Sequence, residues 1–169
     1  MNADGNVDLI VVAGFGGGPR VAAYDGKLLQ PNGGPKLFND YFAFEQTLRN
    51  VIFVASGDMN GDSFADLVAG GGPRVFILDC KSQVQTGSDT LVPVGNFFAG
   101  NPANRGGIGV GVKNLDNHDK ADVNTGAGTG DSSRVSAYRG TNITPAGGTP
   151  PACLDFDVFA GFGGGVFVG

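Results

Sequence analysis

The chain has no tryptophan, one glutamate (Glu45), one histidine (His118) and two cysteines. Glutamate is a strong helix former, and its near absence beside 31 glycines in 169 residues argues against a helical protein. So few His and Cys residues do not make a zinc site. Cys80 and Cys153 stand 73 residues apart, too few for a disulfide framework, and read as two free thiols. A Ser-His-Asp arrangement would have to use His118, and no G-x-S-x-G accompanies any serine. No apolar run approaches the roughly 20 residues that cross a bilayer, so no membrane insertion is expected. The opening Met-Asn-Ala-Asp carries no signal peptide pattern of basic then apolar residues. Basic residues are also sparse: eleven Lys and Arg, scattered singly, against sixteen acids give a net charge of −5. Without a basic stripe, nucleic acid is not an expected partner.

What is present is glycine, small apolar residues and aspartate. The glycines keep no three-residue period, which excludes collagen. Short β-prone runs bounded by Gly, Pro and Asp predict strands, and they recur. Asp8-Leu9-Ile10-Val11-Val12-Ala13-Gly14-Phe15-Gly16-Gly17-Gly18-Pro19-Arg20-Val21 is answered by Asp66-Leu67-Val68-Ala69-Gly70-Gly71-Gly72-Pro73-Arg74-Val75. A weaker third copy runs from Asp122 to Gly128, followed by Ser133-Arg134-Val135. The leading aspartates are 58 and 56 residues apart. Two further markers recur in the same order: Tyr41–Phe44, Phe97–Gly100 and Val158–Gly161, then Val51–Ala55, Ile108–Val112 and Val166–Val168. Three repeats follow, at 1–56, 57–112 and 113–169. In the second, four strands are expected at about Val51–Ala55, Asp66–Ala69, Arg74–Asp79 and Asn96–Ala99. Gly71-Gly72-Pro73 turns the second strand into the third, and the connection to the fourth reads as surface loop. Four-stranded units of about 40–60 residues in tandem predict an all-β fold of β-propeller blades.

The glycine runs lack a Lys-Ser/Thr ending and lead into strands, so they are turns rather than phosphate loops. The repeated Arg20, Arg74 and Arg134 are expected to make packing contacts or ion pairs between units. Phe42, Phe98 and Phe159 are expected to pack in the core.

Chemistry is concentrated in the acidic loops, which hold eight of the fifteen aspartates. In Asp58-Met59-Asn60-Gly61-Asp62-Ser63-Phe64-Ala65-Asp66, oxygens fall at Asp58, Asn60, Asp62 and Asp66. Carboxylates this close repel unless a cation sits among them, and a hard dication with about 6–8 oxygen ligands suits them. The loop is no EF-hand: Ser63 and Ala69 stand where that motif needs Gly and Glu. The first repeat offers Asn2, Asp4 and Asp8. The third keeps Asn114, Asp116 and Asp122, but His118 replaces the counterpart of Asp62 and Asp119 lies one residue away.

These units resemble the FG-GAP/VCBS repeats of calcium-binding β-propellers, known from integrin α-subunit heads and bacterial surface proteins. Phe15-Gly16-Gly17-Gly18-Pro19 is similar to the Phe-Gly…Gly-Ala-Pro signature, and Asp58–Asp66 matches the D-x-[DN]-G-D-x-x-x-D loop at each liganding position. The resemblance implies Ca²⁺ as cofactor, with the carbonyls of Phe64 and Asn6 as further ligands. It implies a non-catalytic scaffold of an extracellular or cell-surface protein, with protein or glycan ligands. A lectin-like module and a propeller-type polysaccharide lyase are the alternatives. It also implies that the acidic loop joins a blade's inner strand to its second strand. The first blade then lacks its inner strand, and Val166–Val168 is a surplus one. Two chains joined as a head-to-tail homodimer would complete a six-bladed ring; a fragment of a longer array is the other expectation.

Overall fold

The β-prone runs become eleven strands in the computed structural model, which describes residues 1–88 and 90–169. The first sheet contains β1 (Leu9–Val12), β2 (Arg20–Tyr24) and β3 (Tyr41–Phe42). The second contains β4 (Ile52–Gly57), β5 (Asp66–Gly71), β6 (Arg74–Leu78) and β7 (Pro93–Phe98). The third contains β8 (Ile108–Lys113), β9 (Asp122–Ala127), β10 (Arg134–Tyr138) and β11 (Ala152–Asp157). Each sheet is an antiparallel meander, with strands adjacent in sequence also adjacent in space. All four strands expected in the second repeat are present, with boundaries displaced by a few residues. Gly72, at φ 53°, and Pro73 close the β5–β6 hairpin outside its ladder.

Successive sheets stack through their first strands. β8 lies against β4 and β5. Gly70 admits this approach, because a β-carbon there would overlap the Ile108 carbonyl oxygen. One apolar core forms between the first and second sheets around Val21, Phe44, Leu67, Phe76 and Leu78. Another forms between the second and third around Val68, Ile77, Phe97, Val110 and Tyr138. Alternation along each strand sends one set of side chains to each neighbour, which is why the central sheet is buried on both faces.

Two expectations need correction. The connection after the third strand opens with a helical turn in every repeat: α1 (Cys80–Thr86), and single 3-10 turns at Gly26–Leu28 and Gly140–Asn142. Asp79 caps α1 by accepting from the Ser82 amide, and Asp25 accepts from the Lys27 amide. Phe42, Phe98 and Phe159 are not core residues but exposed ones; their neighbours Ala43, Phe44, Phe97 and Ala99 are buried. Phe159 also lies out of register with the other two, since Arg134 pairs with Asp157 where Arg20 and Arg74 pair with Phe42 and Phe98. Val166–Val168, expected as a surplus inner strand without a blade of its own, pairs in no ladder among the described residues, and this leaves that expectation untouched. It lies over β9, its first amide donating to the Ala127 carbonyl at 2.8 Å.

The repeated arginines are tied to acids. Arg20 pairs with Asp40 and Arg134 with Asp155 inside their own sheets, while Arg74 reaches back to Glu45 of the first repeat at 2.6 Å. The reason is positional: Asn96 occupies the place held by Asp40 and Asp155, so Arg74 has no carboxylate at that place in its own sheet. Both cysteines are free. Among the described residues no helix is long and apolar enough to cross a membrane.

Among the described residues, one buried hydroxyl stands without a partner. The Tyr41 hydroxyl is out of solvent and makes no hydrogen bond, and burial, with Cys80 adding, pushes its pKa upward. The corresponding residue of the second repeat is Phe97. Tyr41→Phe is expected to raise unfolding free energy by about 1 kcal/mol in urea titrations, because it removes an unsatisfied polar group without opening a cavity.

Candidate metal centre

Each acidic loop joins the first full-length strand of a sheet to the next, or leads into β1. Between β4 and β5, short polar side chains fold the loop by accepting its own amides. Asp58 Oδ1 accepts from Gly61 and Asp62 at 2.7 and 3.1 Å, and Oδ2 accepts from Ser63 at 2.7 Å. Asn60 Oδ1 accepts from Asp62, and Asp62 Oδ1 from Phe64. These Asx turns require left-handed backbone at Gly61 and Ser63, with φ of 83° and 68°. The loop is also tied to the next repeat, because the Asp58 carbonyl accepts from the Ala121 amide at 2.8 Å.

The first loop repeats this geometry. Asn2 Oδ1 accepts from Asp4, Asp4 Oδ1 accepts from Asn6 at 2.9 Å, and Ala3 and Gly5 take the left-handed conformations. The third loop keeps half of it. Asn114 Oδ1 accepts from Asn117, whose φ is 59°, and Asp116 Oδ1 accepts from His118. Asn114 has only one acceptor oxygen, and its amide nitrogen donates instead to the His118 carbonyl. Asp116 is engaged by His118 Nδ1 and by Arg139, and these neighbours hold its carboxyl below the ordinary carboxylate range. Its charge is therefore already balanced from within the chain.

The last aspartate of each loop has a different task from the others. Asp66 is fully buried; its Oδ2 accepts from Met59 at 3.0 Å and its Oδ1 from Cys80 at 3.2 Å. Asp122 accepts in the same way from Leu115 and Gly140, and Asp8 from Asn2 and Gly26. Each carboxylate thus clasps the start of its loop to the helical turn after the third strand. Burial pushes the Asp66 carboxyl up to about 7, against the pull of its two amide donors and with Asp62 and Asp79 adding to the rise. The sequence pattern places this residue among the ligands and does not reveal the clasp, because its second amide lies 14 residues downstream. Nor does it reveal Lys81, whose ammonium sits 3.7 Å from Asp62 and over the Phe64 ring. Met59, buried beneath the loop, is legible only as an apolar residue inside a polar run.

Among the described residues no three His, Cys, Asp or Glu side chains converge as a metal cluster. The donor set of the second loop nevertheless fits a hard cation. It is all oxygen, and a carboxylate or amide oxygen that accepts one amide keeps a further lone pair. No family model matches the chain, and no curated protein does.

The clasp has a measurable weight. Asp66→Ala leaves two buried amides without acceptors and is expected to cost about 3 kcal/mol in denaturant unfolding. Asp119→Ala, at an exposed neighbouring position, is expected to stay within about 0.5 kcal/mol. Equal effects of the two would contradict a structural role for Asp66.

Proposed function

We propose that the chain is a calcium-stabilised, non-catalytic β-propeller module of FG-GAP/VCBS type, serving as a scaffold of an extracellular or cell-surface protein. The observation that carries this reading is the threefold recurrence of one acidic loop at one place in three sheets, twice with the same Asx turns and left-handed residues. In the second loop Asp58, Asn60, Asp62, Asp66 and the Phe64 carbonyl would hold Ca²⁺. In the first, Asn2, Asp4, Asp8 and the Asn6 carbonyl would do so. The third set, Asn114, Asp116 and Asp122, is the poorest, because Arg139 and His118 already occupy Asp116. The ion's contribution is to neutralise clustered carboxylates and fix the loop, so that binding adds to folding stability. The loops so fixed are the surfaces offered to protein or glycan partners.

The same reading makes the three sheets blades of a larger ring and the chain a head-to-tail homodimer. Support comes from the two outward faces. Leu9 and Val11 are exposed on the first sheet, and Leu154 and Phe156 on the third. In the central sheet the corresponding faces are covered by neighbouring sheets. A second copy, docking its third sheet on the first sheet of its partner and the reverse, repeats the packing already present twice in one chain.

Calcium is expected to raise the melting temperature and EDTA to lower it, with about 2.7 kcal/mol per site at free calcium about 100 times Kd. Asp58→Ala and Asp62→Ala should each remove most of the second loop's share of that response, whereas identical melting with and without calcium would refute the metal reading. Light scattering should give the mass of two chains for the wild type and of one for Phe156→Asp. A single-chain mass for the wild type would exclude the homodimer.

A further inference from the structure

The two spaces between sheets share one register but not the same side chains. Ala43 and Ala99 donate to the Pro19 and Pro73 carbonyls, each at 2.9 Å, so the residues that follow, Phe44 and Gly100, correspond. Phe76 faces Ala69 across the β5–β6 ladder as Ser136 faces Thr125 across β9–β10, so Phe76 and Ser136 correspond. Between the first and second sheets, the Phe44 and Phe76 rings meet edge to face at 6.5 Å, both buried, with Phe44 lying on Gly71. The cleft there, of about 480 Å³, has Phe44, Arg74 and Phe98 in its wall. Between the second and third sheets both rings are missing: Gly100 and Ser136 stand in their places and line a cavity of about 430 Å³.

A hydrogen-bonded row of polar side chains stands in its wall where the other interface has the two rings. Thr125, Ser136 and Asp155 lie directly opposite one another on β9, β10 and β11, where the second sheet has Ala69, Phe76 and Asn96. Ser136 Oγ donates to Asp155 Oδ1 at 2.9 Å, and Arg134 grips Asp155 with Nε and Nη2 at 2.7 and 2.5 Å. Ile108 and Ala127 line the cavity as apolar surface.

We propose that this cavity binds a neutral, polyhydroxylated small molecule of monosaccharide size. Its volume lies in the range of about 300–1,000 Å³ usual for small-molecule sites. The Arg134–Asp155 pair balances its own charge, which gives an ionic ligand no net attraction at that pair. It still presents acceptor lone pairs and unused guanidinium donors beside the Thr125 and Ser136 oxygens, which give their own protons to the Ser136 carbonyl and to Asp155 and remain acceptors, the alternation that vicinal hydroxyl groups satisfy. The apolar side suits the C–H face of a ring. The site uses no residue of the acidic loops, so it stands or falls apart from calcium.

Saturation-transfer NMR on the full chain, with D-glucose, D-galactose, D-mannose and N-acetyl-D-glucosamine as probes and D-glucuronate as the charged comparator, tests this. Transfer to at least one neutral sugar is expected. Ser136→Phe should abolish it by restoring the ring that Phe76 supplies in the second sheet. Asp155→Asn, which installs the residue that Asn96 already provides at the corresponding place, should weaken it roughly tenfold with melting little changed. No transfer to any neutral sugar, unchanged transfer in a folded variant, or transfer to glucuronate alone would overturn the proposal. If Ser136→Phe does not fold, the result with Asp155→Asn decides.

Discussion

A carboxylate taken out of water must be met by donors, and at Asp8, Asp66 and Asp122 the donors are backbone amides from two separate segments. Asp66 is held by Met59 on one side and Cys80 on the other. That arrangement ties the loop entering β5 to the turn leaving β6, so the hairpin, the acidic loop and the helical turn form one unit. The polar side chains of Asp58, Asn60 and Asp62 then have a fixed frame to fold against. Without the clasp, the Asx turns would close a loop with no set position relative to the sheet. The burial that lifts the Asp66 carboxyl to about 7 is the energetic cost of this anchoring.

Much of the fold is legible in the sequence because local chemistry and tertiary demand agree. Gly72-Pro73 can serve as little other than a hairpin turn, and the runs Asp66–Gly71 and Arg74–Leu78 have strand composition on both faces because both faces are buried. The repeat is readable for the same reason. What stays hidden depends on partners distant in sequence. The helical turns after β2, β6 and β10 are stabilised by aspartates 14 to 18 residues earlier, which no short pattern exposes. The exposure of Phe42 and Phe98 follows from strand register, since the alternate residues Phe97 and Ala99 face inward. Hydrophobicity alone assigns all of them to the core.

The three copies have diverged unequally, and the differences are physically coherent. In the third loop, His118 replaces a carboxylate and Arg139 approaches Asp116, so charge is balanced by side chains of the chain itself. In the third sheet, Ser136 and Thr125 replace Phe76 and Ala69, so apolar filling gives way to a hydrogen-bonded row. The first two sheets meet through the Phe44–Phe76 contact, whereas at the corresponding place between the second and third Gly100 and Ser136 line a cavity.

The glycines at the strand crossings have a consequence for how such a chain can change. At Gly70 the backbone of β8 passes so close that a side chain would strike the Ile108 carbonyl, and at Gly126 the backbone at Val166 passes in the same way. The step from the second sheet to the third is therefore set by main chain against main chain at a position without a side chain, as is the seat of the segment at Val166 on β9. Elsewhere substitutions need only suit local packing, and they leave that step unaltered. A chain built like this can lengthen by copying whole units, and each copy can specialise its loop or its interface without disturbing the angle at which the next one joins.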